Sequence, residues 1–438
     1  MIESTVAFLL SDMRDDRLYP LTKDLCSQAI PFGGKYRLVD FPISNCLNNG
    51  LWRIFVLTQY NSFTLHQHIK RTYRFDSFSS GYVDILAAEQ NTNSDSWYEG
   101  TVDAVRKVFR YPKVYDAEYV LILTGEQLHK MDFRSLLSAH KQSGSALTVA
   151  GTPAPTTQAA DRGILKTNGY AQLADYFEKP FGSVAYGNPG LPSDAFQEMN
   201  GHGGEYLTPM GVFVFNRDAL AKLLHDHPLA MDFEKDIIPI AIENGMNVNC
   251  YEYSGYYAQI RNIRSYHEVS MELASAAPGL DIYDQDMSVY SEKQSLPAPK
   301  VLGTIVQSSI ISDGSLIEAQ MVDQSIIGRR TRIGKAAWIM NSIVMGDDYY
   351  PSTGRNQGNG TNPKEPLSIG NHCVIENAII GKNCRIGDHV RIIGGDDLED
   401  REKEDYSVVD GIVVVHNGVT IPDRSTIGLP EISLSNAI

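Results

Sequence analysis

The chain has 438 residues, of which 42% are hydrophobic and 21% are charged, so it is long enough for more than one domain with its own core. Lys and Arg number 38 against 53 Asp and Glu, a net charge of −15, which disfavours nucleic acid as a partner. No apolar run is long enough for a membrane span, and five cysteines without a CxxC pair indicate free thiols. We therefore expect a cytoplasmic protein, or one of a plastid-like stroma if a transit peptide has been removed.

The first part of the chain alternates apolar runs with helical patterns. Helical periodicity covers residues 63–73 and 102–110, and this alternation is typical of an α/β sheet. Ligands in such sheets bind at the carboxyl ends of the strands, so the turns after Leu10 and Leu123 are the expected places for chemistry. The apolar runs predict buried parallel strands at residues 5–10, 54–58, 119–123 and 146–150.

The middle of the chain is less regular. Residues 183–204 are rich in Gly, Pro, Ser and Asn and predict an inserted loop. A strand is expected at residues 210–215 and a helix at 266–274. Residues 278–300 have no clear period and are interpreted as a linker, which makes residues 1–277 the first domain.

The remaining residues, 301–438, carry a short repeat. A six-residue period of branched aliphatic residues, often followed by Gly, is the pattern of a parallel β-helix, in which each repeat forms one strand and one turn. Polar, Gly-rich residues 347–366 interrupt the period and predict a loop that leaves the helix. The repeat positions, with one five-residue step, are Ile305, Ile311, Ile317, Ile327, Ile333, Ile369, Ile375, Ile380, Ile386 and Ile392.

Several longer motifs carry a family resemblance. They are Leu18–Lys23, Pro31–Asn45, Leu57–Tyr60, Trp97–Ala104, Phe177–Pro180 and Met345–Tyr350. With these, the chain resembles the ADP-glucose pyrophosphorylase (glucose-1-phosphate adenylyltransferase) family over almost its whole length, most closely the plant and cyanobacterial branch. The resemblance implies a Rossmann-like, GT-A-like nucleotidyltransferase domain followed by a left-handed parallel β-helix. It also implies synthesis of ADP-glucose from ATP and glucose 1-phosphate with Mg²⁺.

The turn after the first strand departs from that family. The family has a Gly-rich turn there, whose backbone N–H groups hold phosphate. Of the family's residues only Arg17 remains, as a weak catalytic candidate, and three carboxylates now repel an anion. Two unit charges at about 4 Å interact by roughly 1 kcal/mol in water and about 4 at an effective dielectric of 20. The replaced positions are Ser11, Asp12, Met13, Asp15 and Asp16.

Other catalytic positions of the family are also changed. Ser27 replaces a basic residue, and Pro209 replaces a serine that would contact the sugar phosphate. Glu126 and Gln127 stand where the family has an Asp-His pair, and Gln259 replaces the second metal-binding aspartate. Glu126 is therefore a doubtful metal ligand, because Mg²⁺ requires tight octahedral geometry. We expect Mg²⁺ as a cofactor if the protein is active, and otherwise no cofactor.

Residues that match the family's ligand contacts are retained nearby. For the nucleotide these are Gln90, Tyr98, Gly100 and Asp103. For the sugar phosphate they are Gly163, Glu178 and Lys179, with Lys179 as a residual catalytic cation, although Glu178 and Lys179 could equally be a surface pair.

The family also binds anionic effectors, which implies a basic site in this acidic chain. The helix at residues 63–73 holds two of the candidates and could equally be a solvated basic face. Because the family is tetrameric, we expect either a homo-tetramer or a hetero-tetramer with a catalytic ADP-glucose pyrophosphorylase subunit. The candidate effector ligands are Lys23, Arg37, Arg53, His68 and Arg71.

Three functions remain open at this point. The favoured hypothesis is a non-catalytic or strongly impaired regulatory subunit in glycogen or starch synthesis, because the changes converge on the reaction centre while the surrounding motifs are intact. The second is an active glucose-1-phosphate adenylyltransferase with an atypical phosphate loop. The third is a stand-alone sensor of a sugar phosphate or a nucleotide.

Overall fold

The protein is described from a computed structural model, which forms two compact units. The sheet unit comprises residues 1–14, 39–258 and 282–290, and the β-helix unit comprises residues 15–38, 259–281 and 291–438. No described helix has the length and apolarity needed to cross a membrane. The structure describes all residues except 1, 11–16, 77, 89–96, 112–113, 115, 156–158, 160–161, 169–170, 179–204, 351–367 and 429–438.

The helices and the first group of strands follow in chain order. The α-helices are α1 (Asp40–Asn48), α2 (Phe63–Thr72), α3 (Thr101–Val108), α4 (Phe133–Gln142), α5 (Arg217–Asp226), α6 (Ile238–Glu243) and α7 (Ile263–Ala274), with 3-10 turns at Ile2–Ser4 and Ser27–Ala29 and a π-helical turn at Phe233–Ile237. The strands are β1 (Thr5–Leu10), β2 (Pro31–Phe32), β3 (Tyr36–Arg37), β4 (Arg53–Thr58), β5 (Tyr82–Ala87), β6 (Tyr119–Thr124), β7 (Gln127–His129), β8 (Leu147–Pro155), β9 (Ile164–Thr167), β10 (Leu173–Phe177), β11 (Glu205–Asn216), β12 (Val248–Glu252) and β13 (Tyr257–Gln259).

The sheet unit is built on a seven-stranded sheet with the order β12-β8-β11-β6-β1-β4-β5. β1 runs parallel to β4 and β6, whereas β11 is antiparallel to β6 and β8. All six residues of β1 are buried, as expected for a strand that is covered on both faces. The four predicted parallel strands therefore match β1, β4, β6 and β8, while the partly buried β5 has no counterpart among the sequence predictions.

The predicted linker is divided between the two units. Residues 282–290 pack on the sheet unit, where the Tyr290 nitrogen donates to Ser44 Oγ at 2.8 Å and Asn48 Nδ2 donates to the Ser288 oxygen at 2.9 Å. Lys130 Nζ also lies 3.2 Å from Asp284 Oδ2. These polar contacts hold residues 282–290 in a defined position. The sequence does not predict this position, because the segment has no apolar period.

The β-helix unit has strands in three columns, one strand per column in each coil. Its strands are β14 (Lys300–Val301), β15 (Ile305–Gln307), β16 (Ile310–Ile311), β17 (Leu316–Ile317), β18 (Met321–Asp323), β19 (Ile326–Ile327), β20 (Arg332–Ile333), β21 (Trp338–Met340), β22 (Ile343–Val344), β23 (Val374–Glu376), β24 (Ala378–Ile380), β25 (Arg385–Ile386), β26 (Arg391–Ile393), β27 (Arg401–Glu402), β28 (Tyr406–Val409), β29 (Ile412–Val415), β30 (Thr420–Ile421) and β31 (Thr426–Gly428). Pairing between successive coils is parallel, as in β15-β18-β21-β23-β26-β31.

The repeat positions form the core of this unit. From Ile317 to Ile392 they are at most 2% exposed, whereas Ile305 in the first coil is 51% exposed. An antiparallel hairpin, β27 with β28, is inserted before β29. The loop that was predicted at residues 347–366 lies mostly outside the described residues, but its first residues are held: Asp347 Oδ1 is 2.8 Å from Arg385 Nη1.

The Gly33-Gly34 turn belongs to the β-helix unit. It joins β2 to β3, and Tyr266 in α7 donates from its hydroxyl to the Pro31 oxygen at 2.6 Å. Gly34 has φ +73°, and a Cβ on it would lie 2.4 Å from Ser312 Oγ. Packing therefore requires glycine here, independently of any ligand.

Candidate functional site

The carboxyl end of β6 is where this sheet is expected to hold its ligand. Glu126 and Gln127 follow β6 and are 7% and 2% exposed. The Gln127 amide nitrogen donates to the Thr124 hydroxyl, while its buried Oε1 has no hydrogen-bond partner among the described residues. A Cβ at Gly211 of β11 would lie 2.3 Å from Gln127 Nε2, so the Gln127 amide fills the space in front of Gly211.

The described residues after β6 offer one carboxylate as a candidate Mg²⁺ ligand. At phosphate-transfer sites Mg²⁺ usually keeps several waters and is bound through one or two carboxylates together with substrate phosphates. Glu126 supplies one carboxylate, and the described residues contain no group of three or more His, Cys, Asp or Glu placed to hold a metal. The three aspartates of the atypical turn, Asp12, Asp15 and Asp16, lie outside the described residues, as do Ser11 and Met13.

Gln259, which the resemblance predicts at the second metal position, lies in the β-helix unit. Gln259 ends β13, and its Oε1 accepts a hydrogen bond from Arg261 Nε at 2.8 Å. The next residues begin α7 with a capping box, because Asn262 and Ser265 each accept from the other's main chain. A neutral amide whose oxygen accepts from a guanidinium group is a poor cation ligand, since the positive charge of Arg261 repels a metal.

The nucleotide-side motif is held by main-chain contacts. The Tyr98 nitrogen donates to Gln59 Oε1 at 2.6 Å, and Tyr98 itself is buried. A Cβ on Gly100 would lie 2.4 Å from the Met231 oxygen, which also accepts from the Val102 nitrogen at 3.0 Å. The Trp97–Ala104 motif is therefore held in place by contacts with the residue after β4 and with the loop before the π-helical turn.

Asp103 has several partners within α3 and the motif. Its Oδ2 accepts from the Glu99 nitrogen at 3.1 Å and lies 3.0 Å from Lys107 Nζ, and its Oδ1 lies 3.3 Å from Arg106 Nη1. The carboxylate therefore organises the start of α3. Gln90, the fourth predicted nucleotide contact, lies outside the described residues.

On the sugar-phosphate side, the structure describes part of the predicted set. Glu178 follows β10, and its Oε1 lies 2.9 Å from Lys235 Nζ in the π-helical turn. Gly163 is buried, and a Cβ on it would lie 2.3 Å from the Tyr176 hydroxyl oxygen, so this glycine makes room for Tyr176. Pro209 is buried in β11 opposite Gly151. Lys179 lies outside the described residues.

Three predicted effector ligands lie in the sheet unit. His68 is 3% exposed, and its Nε2 lies 2.5 Å from the buried Asp40 Oδ1, which also accepts from the Tyr73 hydroxyl at 2.7 Å. Arg53 donates from Nη2 to the Glu3 oxygen. Arg71 is exposed near the end of α2. The His68 ring is enclosed by protein, so it would have to leave Asp40 to bind an anion.

The other basic candidates lie in the β-helix unit. Lys23 is exposed, and the pKa of His416 is lowered mainly by burial and further by the charge of Lys23. Arg37 is half-buried, and although burial acts in the opposite direction, Lys382 and Arg37 help to hold the pKa of Asp348 below its usual range. These charges could attract an anion to this unit.

Two further residues that the resemblance predicts at the reaction centre lie in the same unit. Arg17 is exposed, and Ser27 is 2% exposed in its 3-10 turn. A buried hydroxyl therefore stands where the resemblance predicts a cation.

Two site residues were missed by the sequence analysis. Lys235 lies far from Glu178 in sequence, and Met231 contacts Gly100 through its main-chain oxygen, which leaves no trace in residue type. In the sequence, Lys235 stands out as a single cation among three acids, Asp232, Glu234 and Asp236.

Comparison with known families covers both parts of the chain. Residues 10–276 match the family described as nucleotidyl transferase, and residues 294–426 match the family described as the GLGC left-handed parallel beta-helix domain. The predicted fold class, an α/β nucleotidyltransferase domain followed by a left-handed β-helix, is thereby confirmed.

Proposed function

We propose, from the premise that this chain belongs to the nucleotidyl transferase family and has an ADP-glucose pyrophosphorylase-like architecture, that it is a regulatory relative with little or no activity of its own. It would act in glycogen or starch synthesis as a member of the plant and cyanobacterial type. Its partner would be a catalytic subunit in a hetero-tetramer or further copies of itself, and its effector a small anion.

One observation carries this proposal: the hydrogen bond from Arg261 Nε to Gln259 Oε1. Adenylyl transfer needs little covalent help from the protein, so catalysis depends on positioning and on offsetting charge with metal ions. At Gln259 a carboxylate has been replaced by an amide, and that amide accepts from a cation. Loss of the metal charge would remove the main source of transition-state stabilisation.

The state of Glu126 and Gln127 supports the same proposal. Glu126 provides a single buried carboxylate, and the neighbouring Gln127 amide is held by Thr124. The retained elements, Tyr98 and Gly100 with their main-chain clamps, keep the shape of a ligand site. A protein with this combination would bind ligands better than it transforms them.

The decisive experiment measures pyrophosphate release from ATP and glucose 1-phosphate with Mg²⁺. We expect no turnover by the purified chain, and a changed rate or effector response when a catalytic relative from the same source is added. Turnover near the ordinary enzyme range, about 1 s⁻¹ or more, by the chain alone would overturn the proposal in favour of an active enzyme.

A matched variant sharpens this test. Replacing Gln259→Asp together with Arg261→Gly puts a carboxylate at the predicted metal position and removes the cation beside it. A gain of activity in the double variant would identify the Gln259–Arg261 pair as a cause of the loss.

The assay with a catalytic relative tests the regulatory role. If the chain co-assembles with no catalytic relative and changes no rate, the regulatory role is contradicted and the sensor hypothesis is favoured.

A further inference from the structure

The ion pair between Lys235 and Glu178 joins two distant parts of the sheet unit. Lys235 Nζ lies 2.9 Å from Glu178 Oε1, and both side chains are partly exposed, at 52% and 38%. The hydrogen bond to Glu178 is the leading cause that raises the pKa of Lys235. Exposed ion pairs of this kind contribute little to folding stability, so stability does not account for the arrangement.

Lys235 lies at the centre of the π-helical turn Phe233–Ile237. In this turn the Ile237 nitrogen donates to the Asp232 oxygen at 3.2 Å, five residues back, instead of the four of an α-helix. Such turns are rare and are often found at functional sites, because they cost stability and redirect side chains. Phe233 anchors the turn in the core, with its ring 5.8 Å from that of Phe213.

The acids next to Lys235 bond to the main chain. Asp232 Oδ1 accepts from the Glu234 and Lys235 nitrogens at 2.8 and 2.9 Å, and Asp236 Oδ2 accepts from the Met231 and Asp232 nitrogens at 2.7 and 2.9 Å. Both carboxylates thus hold the turn in shape. The Lys235 ammonium group extends past them to Glu178.

The same turn also reaches the nucleotide-side motif. The Met231 oxygen accepts from the Val102 nitrogen at 3.0 Å and from the Thr101 hydroxyl at 3.3 Å. Residues 231–235 therefore contact both retained ligand motifs of the sheet unit, one through Met231 and the other through Lys235. We therefore expect a structural change in this turn to shift residues of both motifs.

From this arrangement we infer that Lys235 is a positioning residue for a hexose 1-phosphate: it fixes the Glu178 carboxylate so that Glu178 can accept hydrogen bonds from the sugar hydroxyls. This inference rests on the proposed function, in which the chain binds its ligands but has little or no activity. A carboxylate held by a cation keeps its orientation, which favours it as an acceptor.

The test is titration calorimetry of the full chain with glucose 1-phosphate and, separately, with inorganic phosphate. We expect Lys235→Met to weaken binding of glucose 1-phosphate by about 5- to 10-fold, and Lys235→Arg to stay within about 3-fold. Binding of inorganic phosphate should change by less than about 2-fold in all variants, because Glu178 addresses the sugar. The control is Lys222→Met, at an exposed lysine of α5, which should bind like the parent chain.

A double-mutant cycle separates positioning from a general structural effect. In a Glu178→Gln background, Lys235→Met should have less than about a 2-fold further effect, because its target is already altered. Equal losses in both backgrounds would overturn the inference, and so would unchanged binding by Lys235→Met. A parent chain that does not bind glucose 1-phosphate would overturn it as well, whereas the regulatory proposal is decided separately by the assay with a catalytic relative.

Discussion

The side-chain amide of Gln59 pairs with the main chain of Tyr98 in both directions. The Tyr98 nitrogen donates to Gln59 Oε1 at 2.6 Å, and Gln59 Nε2 donates to the Tyr98 oxygen at 3.3 Å. These two hydrogen bonds are of the kind that pair neighbouring β-strands, although Tyr98 itself lies in no strand. Through them, the residue after β4 fixes the start of the Trp97–Ala104 motif.

We expect Gln59→Leu to destabilise the sheet unit by about 1–3 kcal/mol, because it removes two hydrogen bonds to the main chain of Tyr98. Urea denaturation measures the loss, and hydrogen exchange should show faster exchange of the Tyr98 amide. Gln142→Leu, at an exposed residue that ends α4, is the control and should change stability by less than about 0.5 kcal/mol. Unchanged protection of the Tyr98 amide would contradict the expectation.

Gly100 is required by contact as well as by its backbone angle. Its φ of 158° is rarely adopted by residues with a side chain, and a Cβ would lie 2.4 Å from the Met231 oxygen, which is main chain and does not rotate away. Gly100→Ala should therefore cost about 1–3 kcal/mol and loosen the loop at Met231. Thermal denaturation and protease sensitivity of that loop provide the measurement.

A matched glycine separates the two causes. Gly144 has φ +60° and no atom within 4 Å of its Cβ position, so Gly144→Ala should cost about 1 kcal/mol from backbone strain and leave the Met231 loop unchanged. Equal protease patterns in the two variants would show that the clash at Gly100 is relieved without cost.

His129 should make the stability of the sheet unit depend on pH. It is buried beside Asn45, and burial lowers the pKa of its ring from 6.5 to about 4. The unfolded chain therefore binds a proton that the folded chain excludes, so this contribution is complete above pH 6.5 and is lost as the pH falls towards 4. The full loss corresponds to roughly 3 kcal/mol.

His129→Gln tests this dependence while keeping an acceptor for the Asn45 amide. Urea midpoints between pH 7.5 and 4.5 should fall less steeply in the variant than in the parent chain, although the variant should be less stable at the upper pH. His225→Gln, at an exposed residue of α5, should leave the slope as it is. Parallel slopes for His129→Gln and the parent would show that another group dominates.

Asp347 anchors the coil from which the polar loop departs. Its carboxylate is 2.8 Å from Arg385 Nη1 and accepts from Ser368 Oγ at 2.6 Å, with a side chain only 1% exposed. Asp347→Ala should destabilise the β-helix unit by about 2–3 kcal/mol, because the pair is partly buried and Ser368 loses its acceptor. Asp396→Asn, at an 85% exposed carboxylate, should cost less than about 0.5 kcal/mol.

Trp338 provides the readout for that comparison. It lies in β21, and the other two tryptophans, Trp52 and Trp97, are in the sheet unit. With Trp52→Phe and Trp97→Phe in the background, the fluorescence change on urea unfolding reports the β-helix unit. Superimposable curves for Asp347→Ala and Asp396→Asn would contradict the anchoring role.

Much of the fold can be predicted from the sequence because the hydrophobic repeats in the sequence are short. A six-residue repeat equals one strand and one turn, so the inward positions of the β-helix are legible, and Ile317, Ile333 and Ile375 are fully buried. The boundary between units is not legible, because residues 15–38 join the β-helix unit through contacts with residues that are distant in sequence. The hydrogen bond from Tyr266 to Pro31 is one of them.

The site divides in the same way. A replacement of family residues at Glu126, Gln127 and Gln259 is predicted from residue types alone, because charge and ligand chemistry belong to single side chains. The surroundings cannot be predicted in this way: His68 was expected at an effector site and is buried against Asp40. The sequence predicts that His68 lies on a helix, but its burial depends on which face of that helix packs against the rest of the unit.

The sequence by itself determined the two-part architecture. It also predicts the loss of metal-binding residue types and the retention of the nucleotide and sugar motifs, since each is a local property of residue order. Only the tertiary structure decided how those residues are used. It paired Gln59 with Tyr98, Arg261 with Gln259 and Lys235 with Glu178. The physical reason is that hydrogen bonds and ion pairs depend on distances of about 3 Å, which folding sets and residue order alone does not.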